Sequence, residues 1–332
     1  MTQAAHAEPT VKMGLPMSNG KLAMWMFLVT EIMFFTGLIG TYIILRNGTP
    51  GSTEPLRWPH PHEVHLDERI GAFNTFVLIC SSFTVVLAHY MVVKRNFKAA
   101  TLLIGGTLAL GALFLVVKAY EYKGKYDHDI LPGLMGENLL VRKDKDGKEV
   151  GKPMTADKER LLYPTSVAWY EHVRGELKAI VDKGPADDKY AKESAELLDA
   201  MNGKDVTRTD AQGNAVKNEK GEELKDYVPP LSPAELGNRV NELLENAEKD
   251  GKTLHVAPAI PFGNLWASCY FAMTGFHALH VLGGLVIFAI ILLMGMMGKL
   301  GPQHESMLEL TGLYWHFVDI VWIFLFPLLY LI

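Results

Sequence analysis

Five stretches of this chain are apolar and long enough to cross a lipid bilayer, and that limits what it can fold into. They cover residues 22–45, 70–93, 99–120, 264–296 and 311–332. A hydrocarbon core of about 30 Å takes roughly 20 helical residues. The fourth stretch is longer than needed, so it is expected to tilt or to extend beyond the bilayer. A water-soluble reading would put five helices in one core with no polar face on any of them, which runs against the amphipathic patterning of such helices. The fold class expected is an all-α membrane protein with five transmembrane helices and a small, mainly α-helical soluble insert.

Charge separates the insert from the rest. Residues 123–262 carry 22 of the 32 Lys and Arg and 27 of the 37 Asp and Glu, so the overall net charge of −5 lies in this segment. A mean hydropathy of +0.11 averages a soluble part with a membrane part. The expected division is a membrane domain over 1–122, a soluble insert over 123–262, and a second membrane portion over 263–332. The chain opens on a polar stretch with no small-residue cleavage site after the first apolar run, so this run is expected to remain as a helix rather than act as a secretion signal. In the short loops, Lys12, Lys21, Lys94, Arg95, Lys98 and Lys299 fall on one side, against Arg46, Arg57 and Arg69 on the other. The positive-inside rule then puts the N-terminus in the cytoplasm and the C-terminus outside, and parity puts the insert outside.

Within the insert, Val167, Tyr170, Val173, Leu177 and Ile180 recur at helical spacing. So do Leu236, Val240, Leu243, Leu244 and Ala247, after a cap at Ser232 and Pro233. Residues 187–201 form a third candidate helix. Asp146-Gly147 suggests a hairpin turn, and residues 210–221 read as a loop.

Several polar residues interrupt the apolar stretches. Glu31 lies nine residues past Leu22, about 14 Å along a helix and close to mid-membrane. An ionisable group there is costly and is a functional candidate by default. Its two readings are a protonated carboxyl bonded to a neighbouring helix and a proton relay, and a single carboxyl makes a poor relay. His277 and His280 lie three apart on the fourth stretch, beside small residues at Gly275, Ala278, Gly283 and Gly284 that allow close helix approach. Haem ligation is one reading, with His89 and His316 at matching depth. Histidines bonded to carboxylates on adjacent helices is the other. Asp319 is one turn beyond His316, so the two can pair. Tyr314 and Trp315 fit an interfacial aromatic belt. His60, His62 and His65 crowd one loop, where hydrogen bonding is the commoner use and metal binding the rarer. Cys80 and Cys269 have no zinc-site or haem-attachment spacing and read as small core residues.

These motifs occur together, in this order, in one family. The chain resembles subunit III of cytochrome c oxidase. Residues 25–37, with Glu31 in Thr-Glu-Ile-Met-Phe-Phe-Thr-Gly, are similar to the family's third helix. Trp58-Pro59, Asn74-Thr75, Ser81 and Ala88-His89 are similar to the following loop and fourth helix, and Glu121-Tyr122 to the end of the fifth. Thr274-Gly-Phe-His-Ala-Leu-His-Val and Tyr314-Trp-His-Phe-Val-Asp-Ile-Val-Trp are similar to the sixth and seventh. The resemblance implies a non-catalytic subunit of a proton-pumping terminal oxidase in a bacterial inner membrane. It carries no haem, copper or other metal of its own. It packs with subunits I and II, the haem and copper lying in partner subunits, binds phospholipid in a cleft, and supports proton uptake. Nucleic acid is not an expected partner. The buried carboxylate of the family falls on Glu31 and its cleft histidines on His89 and His277. Glu121, His280, Trp315, His316 and Asp319 are the other expected cleft or interhelix polar positions. The family's first two helices have no counterpart here, and the insert has none in the family. An additional subunit or an electron-donating cytochrome is a candidate occupant of that insert, since acidic surfaces suit basic cytochromes. Subunit III of a quinol oxidase is the near alternative, and a stand-alone transporter or a b-type haem protein the remote ones. A transporter would be expected to show repeated halves, and no internal repeat is visible.

Overall fold

The computed structural model describes residues 18–48, 58–136, 142–143, 149–150, 164–185, 188–207, 225–228, 230–231 and 233–332. In chain order the helices are α1 (Asn19–Asn47), α2 (Glu68–Val93), α3 (Phe97–Asp127), α4 (Pro164–Lys183), α5 (Lys189–Asn202), α6 (Pro233–Lys249), α7 (Gly263–Met296) and α8 (Glu305–Phe326). A 3₁₀ turn at Pro302–His304 leads into α8, and a π-helical turn at Pro327–Leu331 closes it. Among the described residues five of these helices, α1, α2, α3, α7 and α8, are long and apolar enough to span a membrane.

Spans α1, α2 and α3 overrun their apolar stretches, and polar residues at their starts find partners. Ser18 accepts from the Lys21 amide at 3.4 Å, Asp67 from the Arg69 amide at 2.8 Å, and Asn96 from the Ala99 amide at 3.2 Å. Such caps satisfy amide groups that a helix start leaves unpaired. Helix α3 runs seven residues past the expected end at residue 120. Lys118, Glu121, Tyr122 and Lys125 all have partners in the structure, so the polar end of the helix stays packed.

Four spans close into a ring in which α2 packs on α3, α3 on α7, α7 on α8, and α8 on α2, while α1 lies outside against α7 and α8. Trp315 of α8 sits at the centre of the ring and is fully buried. Its indole N–H donates to Ser81 of α2 at 2.9 Å. Its ring occupies space opened by glycines on the other two helices. A Cβ on Gly111 of α3 would lie 2.9 Å from the indole, and one on Gly284 of α7 would lie 2.7 Å from it. The aromatic-belt reading of Tyr314 and Trp315 is therefore corrected. Both are buried, and Tyr314 donates to the His280 carbonyl at 2.9 Å. Their polar groups have protein partners and do not need an interface.

The insert has its own apolar core. Trp169, Val173 and Leu177 of α4 meet Tyr190 and Leu197 of α5 and Leu236, Val240 and Leu243 of α6. The three predicted helices are present. Two small antiparallel pairs accompany them: β1 (Arg142–Lys143) with β2 (Glu149–Val150), and β3 (Lys204–Thr207) with β4 (Lys225–Val228). The first pair flanks the predicted Asp146-Gly147 turn. That turn, the 210–221 loop, the Ser232 cap and the Lys12 and Arg57 positions lie outside the described residues.

Both connecting segments are fastened where the insert meets the spans. The Gly136 amide donates to the Pro258 carbonyl at 2.9 Å, and the Ile260 amide to the Gly136 carbonyl at 2.7 Å. The Asn264 side chain accepts from the amides of Gly133 and Met135 and donates to the Met135 carbonyl. From the insert, Trp169 donates to the Ala257 carbonyl at 3.0 Å, and Asn241 makes two bonds to the Ala259 backbone. His65, in a left-handed turn with φ 50°, stacks on His128 with ring centres 4.2 Å apart and approaches Glu248 of α6 at 3.9 Å. Burial, with the neighbouring His128 charge, pushes its pKa down to about 4.

The glycine packing around Trp315 gives a selective prediction. Gly284→Val forces methyl groups into the indole and should cost about 1–3 kcal/mol, as overpacked cores do. Gly283→Ala, whose Cβ would lie 3.5 Å from the Tyr314 hydroxyl, should be tolerated. Thermal unfolding of both variants in detergent checks this, and equal melting temperatures would contradict the packing described.

Candidate functional site: the polar core of the helix bundle

Glu31 of α1 meets His280 of α7, with Oε2 3.0 Å from Nε2. The other ring nitrogen, Nδ1, lies 2.7 Å from the Phe276 carbonyl. A carbonyl only accepts, so Nδ1 carries a hydrogen. Nε2 then either accepts from a protonated Glu31 or, as part of an imidazolium, donates to its carboxylate. In both cases the pair holds one proton between the two groups and has no net charge. Phe35 packs edge-on to the His280 ring at 5.3 Å, and Phe34 meets Phe276 at 5.0 Å. The pair is therefore a polar clip within an aromatic seam that joins α1 to α7. At one end of this seam Lys21 pairs with Glu309 of α8 at 2.7 Å, and at the other Arg46 donates to the Ile332 carbonyl at 2.5 Å.

Sequence reasoning placed Glu121 among the polar positions and missed the group that surrounds it. Lys118, 3% exposed, lies one turn earlier on α3. Its ammonium donates to Glu121 at 2.8 Å and to the hydroxyls of Tyr270 and Tyr330 at 3.1 Å each. Tyr330 donates in turn to Glu121 Oε2 at 2.6 Å, and Tyr270 also donates to Glu121. The rings of Tyr122, Tyr270, Trp322 and Tyr330 stand 5.1–5.7 Å from the ammonium. Hydrogen bonds thus join three elements on one ion pair, α3, α7 and the π-helical turn, and Trp322 adds a ring from α8. The signal was available in the sequence, since Lys118 and Glu121 are opposite charges three apart near the end of an apolar stretch. The partners Tyr270 and Tyr330, 152 and 212 residues away from Lys118, were not visible.

The other predicted positions separate. His277 and His280, expected on one helix face, serve different neighbours. His277 is buried with its ring stacked on Trp322 at 5.1 Å and edge-on to Phe114 at 5.6 Å, and among the described residues neither of its nitrogens has a hydrogen-bond partner. His316 and Asp319 do not pair directly as expected. His316 Nδ1 lies 3.1 Å from the Ser82 hydroxyl, and Ser82 also bonds Asp319, so a residue of α2 links the two. Asp319 Oδ1 and His89 Nε2 are buried and have no hydrogen-bond partner among the described residues. Among the described residues no three His, Cys, Asp or Glu side chains gather in the arrangement of a metal site, and both cysteines are free thiols. What the core can do chemically is exchange one proton within the Glu31–His280 pair and hold a buried ion pair fixed.

The one-proton pair predicts the behaviour of two variants. Glu31→Gln keeps a donor for Nε2 and should assemble and melt like the parent. Glu31→Ala leaves His280 without its partner and should lose about 1–2 kcal/mol, the range for hydrogen bonds between membrane helices. Unfolding in detergent measures both, and a glutamine variant as weak as the alanine variant would show that Glu31 must be ionised.

A family model described as cytochrome c oxidase subunit III matches residues 2–138 and 255–332, leaving out most of the insert. A cytochrome c oxidase subunit 3 from Thermostichus vulcanus is 43% identical over 70 residues, covering 21% of this chain and 35% of that protein. A probable cytochrome c oxidase subunit 3 from Mycobacterium leprae is 45% identical over 67 residues, 20% of this chain and 33% of the relative. One from Synechocystis is 46% identical over 74 residues, 21% and 30% respectively. The chain thus spans about a third of the length of these curated relatives. The family match runs through all five membrane spans and covers well over half the chain, so this protein belongs to the cytochrome c oxidase subunit III family.

Proposed function

We propose that this chain is a non-catalytic subunit of a respiratory terminal oxidase. It stabilises the catalytic subunit I, holds phospholipid against its apolar faces, and supports proton uptake during oxygen reduction. The haem and copper belong to partner subunits, and subunit II completes the core. The N-terminus lies in the cytoplasm and the insert faces the periplasm of a bacterial inner membrane, where it meets an additional subunit or an electron donor.

One observation carries this reading. The ionisable groups Lys118, Glu121, His277 and Asp319 are turned into the bundle, while α1 and α2 present broad apolar faces outward. On α1, Trp25, Met26, Val29, Met33 and Ile44 are more than half exposed, and on α2 Phe73, Phe76 and Phe83 are too. Helix α1 is covered only along the side that meets α7 and α8, with few of its residues buried. Apolar surface of this extent in a membrane chain is available for lipid and for a neighbouring subunit. A stabilising role needs such a surface.

The test is purification of the tagged chain from native membranes in mild detergent, with a visible spectrum and mass identification of its companions. Recovery with a haem-copper subunit I is the expected outcome, and the donor is then read from the haem types present. A chain that comes alone and colourless would overturn the proposal.

A further inference from the structure

The Lys118–Glu121 site holds two phenols as well as two charges. We propose that Tyr270 and Tyr330 are redox-active, with Glu121 as their proton acceptor, and that they take up the oxidising equivalent of a peroxide-derived one-electron oxidant. The source of that oxidant, incomplete reduction of oxygen in a neighbouring catalytic subunit, rests on the function proposed above. The chemistry of the two tyrosines rests on the geometry of this chain alone.

A phenol gives up an electron readily only when its proton leaves too, because the ring cation that otherwise forms is a very strong acid. A base must therefore stand within hydrogen-bond reach of the hydroxyl. The Tyr330 O–H is shared between Glu121 Oε2 at 2.6 Å and Oε1 at 2.8 Å, and Tyr270 donates to Oε1. Lys118 donates to both phenol oxygens at 3.1 Å, which leaves their hydrogens to the carboxylate. Tyr122 and Tyr314 are placed differently. The first meets the Thr274 hydroxyl at 2.6 Å, and the second donates to the His280 carbonyl at 2.9 Å. Neither of those groups takes up a proton at neutral pH, whereas an ionised carboxylate is a pure acceptor that does.

In the step, one electron leaves a phenol ring and reduces the oxidant by one electron. The phenol O–H bond breaks, and its proton forms an O–H bond on Glu121. The tyrosine is left as a neutral radical. The positive charge that remains is the Lys118 ammonium, no longer balanced by a carboxylate. Four aromatic faces at 5.1–5.7 Å already surround that ammonium, and their attraction offsets part of the lost pairing. Two tryptophans give the electron a way out. Trp266 stacks on Tyr270 with ring centres 4.9 Å apart, and Trp322 stands 6.3 Å from Tyr330. Rings this close exchange an electron without moving. Tyr270, Tyr330 and both indoles are fully buried, so water and external reductants are kept from the radical.

The experiment uses the full chain in detergent, with tris(bipyridyl)ruthenium(III), generated by a light flash in the presence of persulfate, as the oxidant. Electron paramagnetic resonance should show a neutral tyrosyl radical that outlives those of exposed tyrosines by about tenfold or more. It should form more slowly in heavy water, since a proton moves with the electron. Tyr270→Phe combined with Tyr330→Phe keeps both rings around Lys118 and should remove the long-lived signal. Lys118→Met combined with Glu121→Gln removes the base without leaving a lone buried charge, and should remove it too. Tyr126→Phe, at an exposed position, should leave it unchanged. If a double change unfolds the chain, Tyr330→Phe alone should reduce the signal by about half or more. No long-lived radical, or one that survives these changes or is lost equally with Tyr126→Phe, would overturn the proposal. None of these outcomes depends on which subunits accompany the chain, so they are distinct from the test of the function proposed above.

Discussion

The constraint on which this structure depends is that a polar side chain inside a bilayer must find its partner within the protein. The Lys118–Glu121 pair shows how far this reaches. Moving both charges out of water costs several kcal/mol per ion, and the cost is met by gathering the hydroxyls of Tyr270 from α7 and Tyr330 from the terminal π-turn, whose rings stand with those of Tyr122 and Trp322 around the ammonium. An ion pair within one helix thereby fixes the relation of that helix to two other elements. Helix α3 continues past the apolar stretch for the same reason.

The same rule holds for much of the bundle, although among the described residues His277, His89 Nε2 and Asp319 Oδ1 find no hydrogen-bond partner. Trp315 directs its one polar atom at Ser81 and fills the space left by glycines on two neighbouring helices, so the ring is held by shape as well as by a hydrogen bond. Trp322 bonds Thr75, and Tyr122 shares a hydrogen bond with Thr274. Glu31 and His280 do for α1 what Lys118 and Glu121 do for α3, with one difference. Their bond carries one proton that either group can hold, and they lie on the side of the ring where α1 leaves its outward face uncovered.

The five spans, the insert and its three helices were legible because each is written as local periodicity of apolar residues. Glu31, His280 and Asp319 were legible as polar residues out of place. Their partners were not, because pairing at this range is decided by packing. The separation of His277 from His280 illustrates this. Three residues apart on a helix are neighbours, yet one side chain meets Trp322 and the other meets Glu31. Trp315 was misplaced because a tryptophan suits an interface or a core equally well, and only the glycines opposite it, at Gly111 and Gly284, decide between them. The linkage of His316 to Asp319 through Ser82 was hidden for a similar reason, since a serine on α2 gives no sign of which helix it faces.

The claim that the polar core is a set of mutually dependent pairs is tested most directly by a double-mutant cycle on Lys118→Met and Glu121→Leu, with unfolding free energies measured in detergent. Removing one partner leaves a buried charge uncompensated and is predicted to cost about 3–5 kcal/mol, while removing both should cost far less than the sum of the single changes. Costs that simply add would mean that the two residues act independently, and would contradict a bundle held together by paired polar groups.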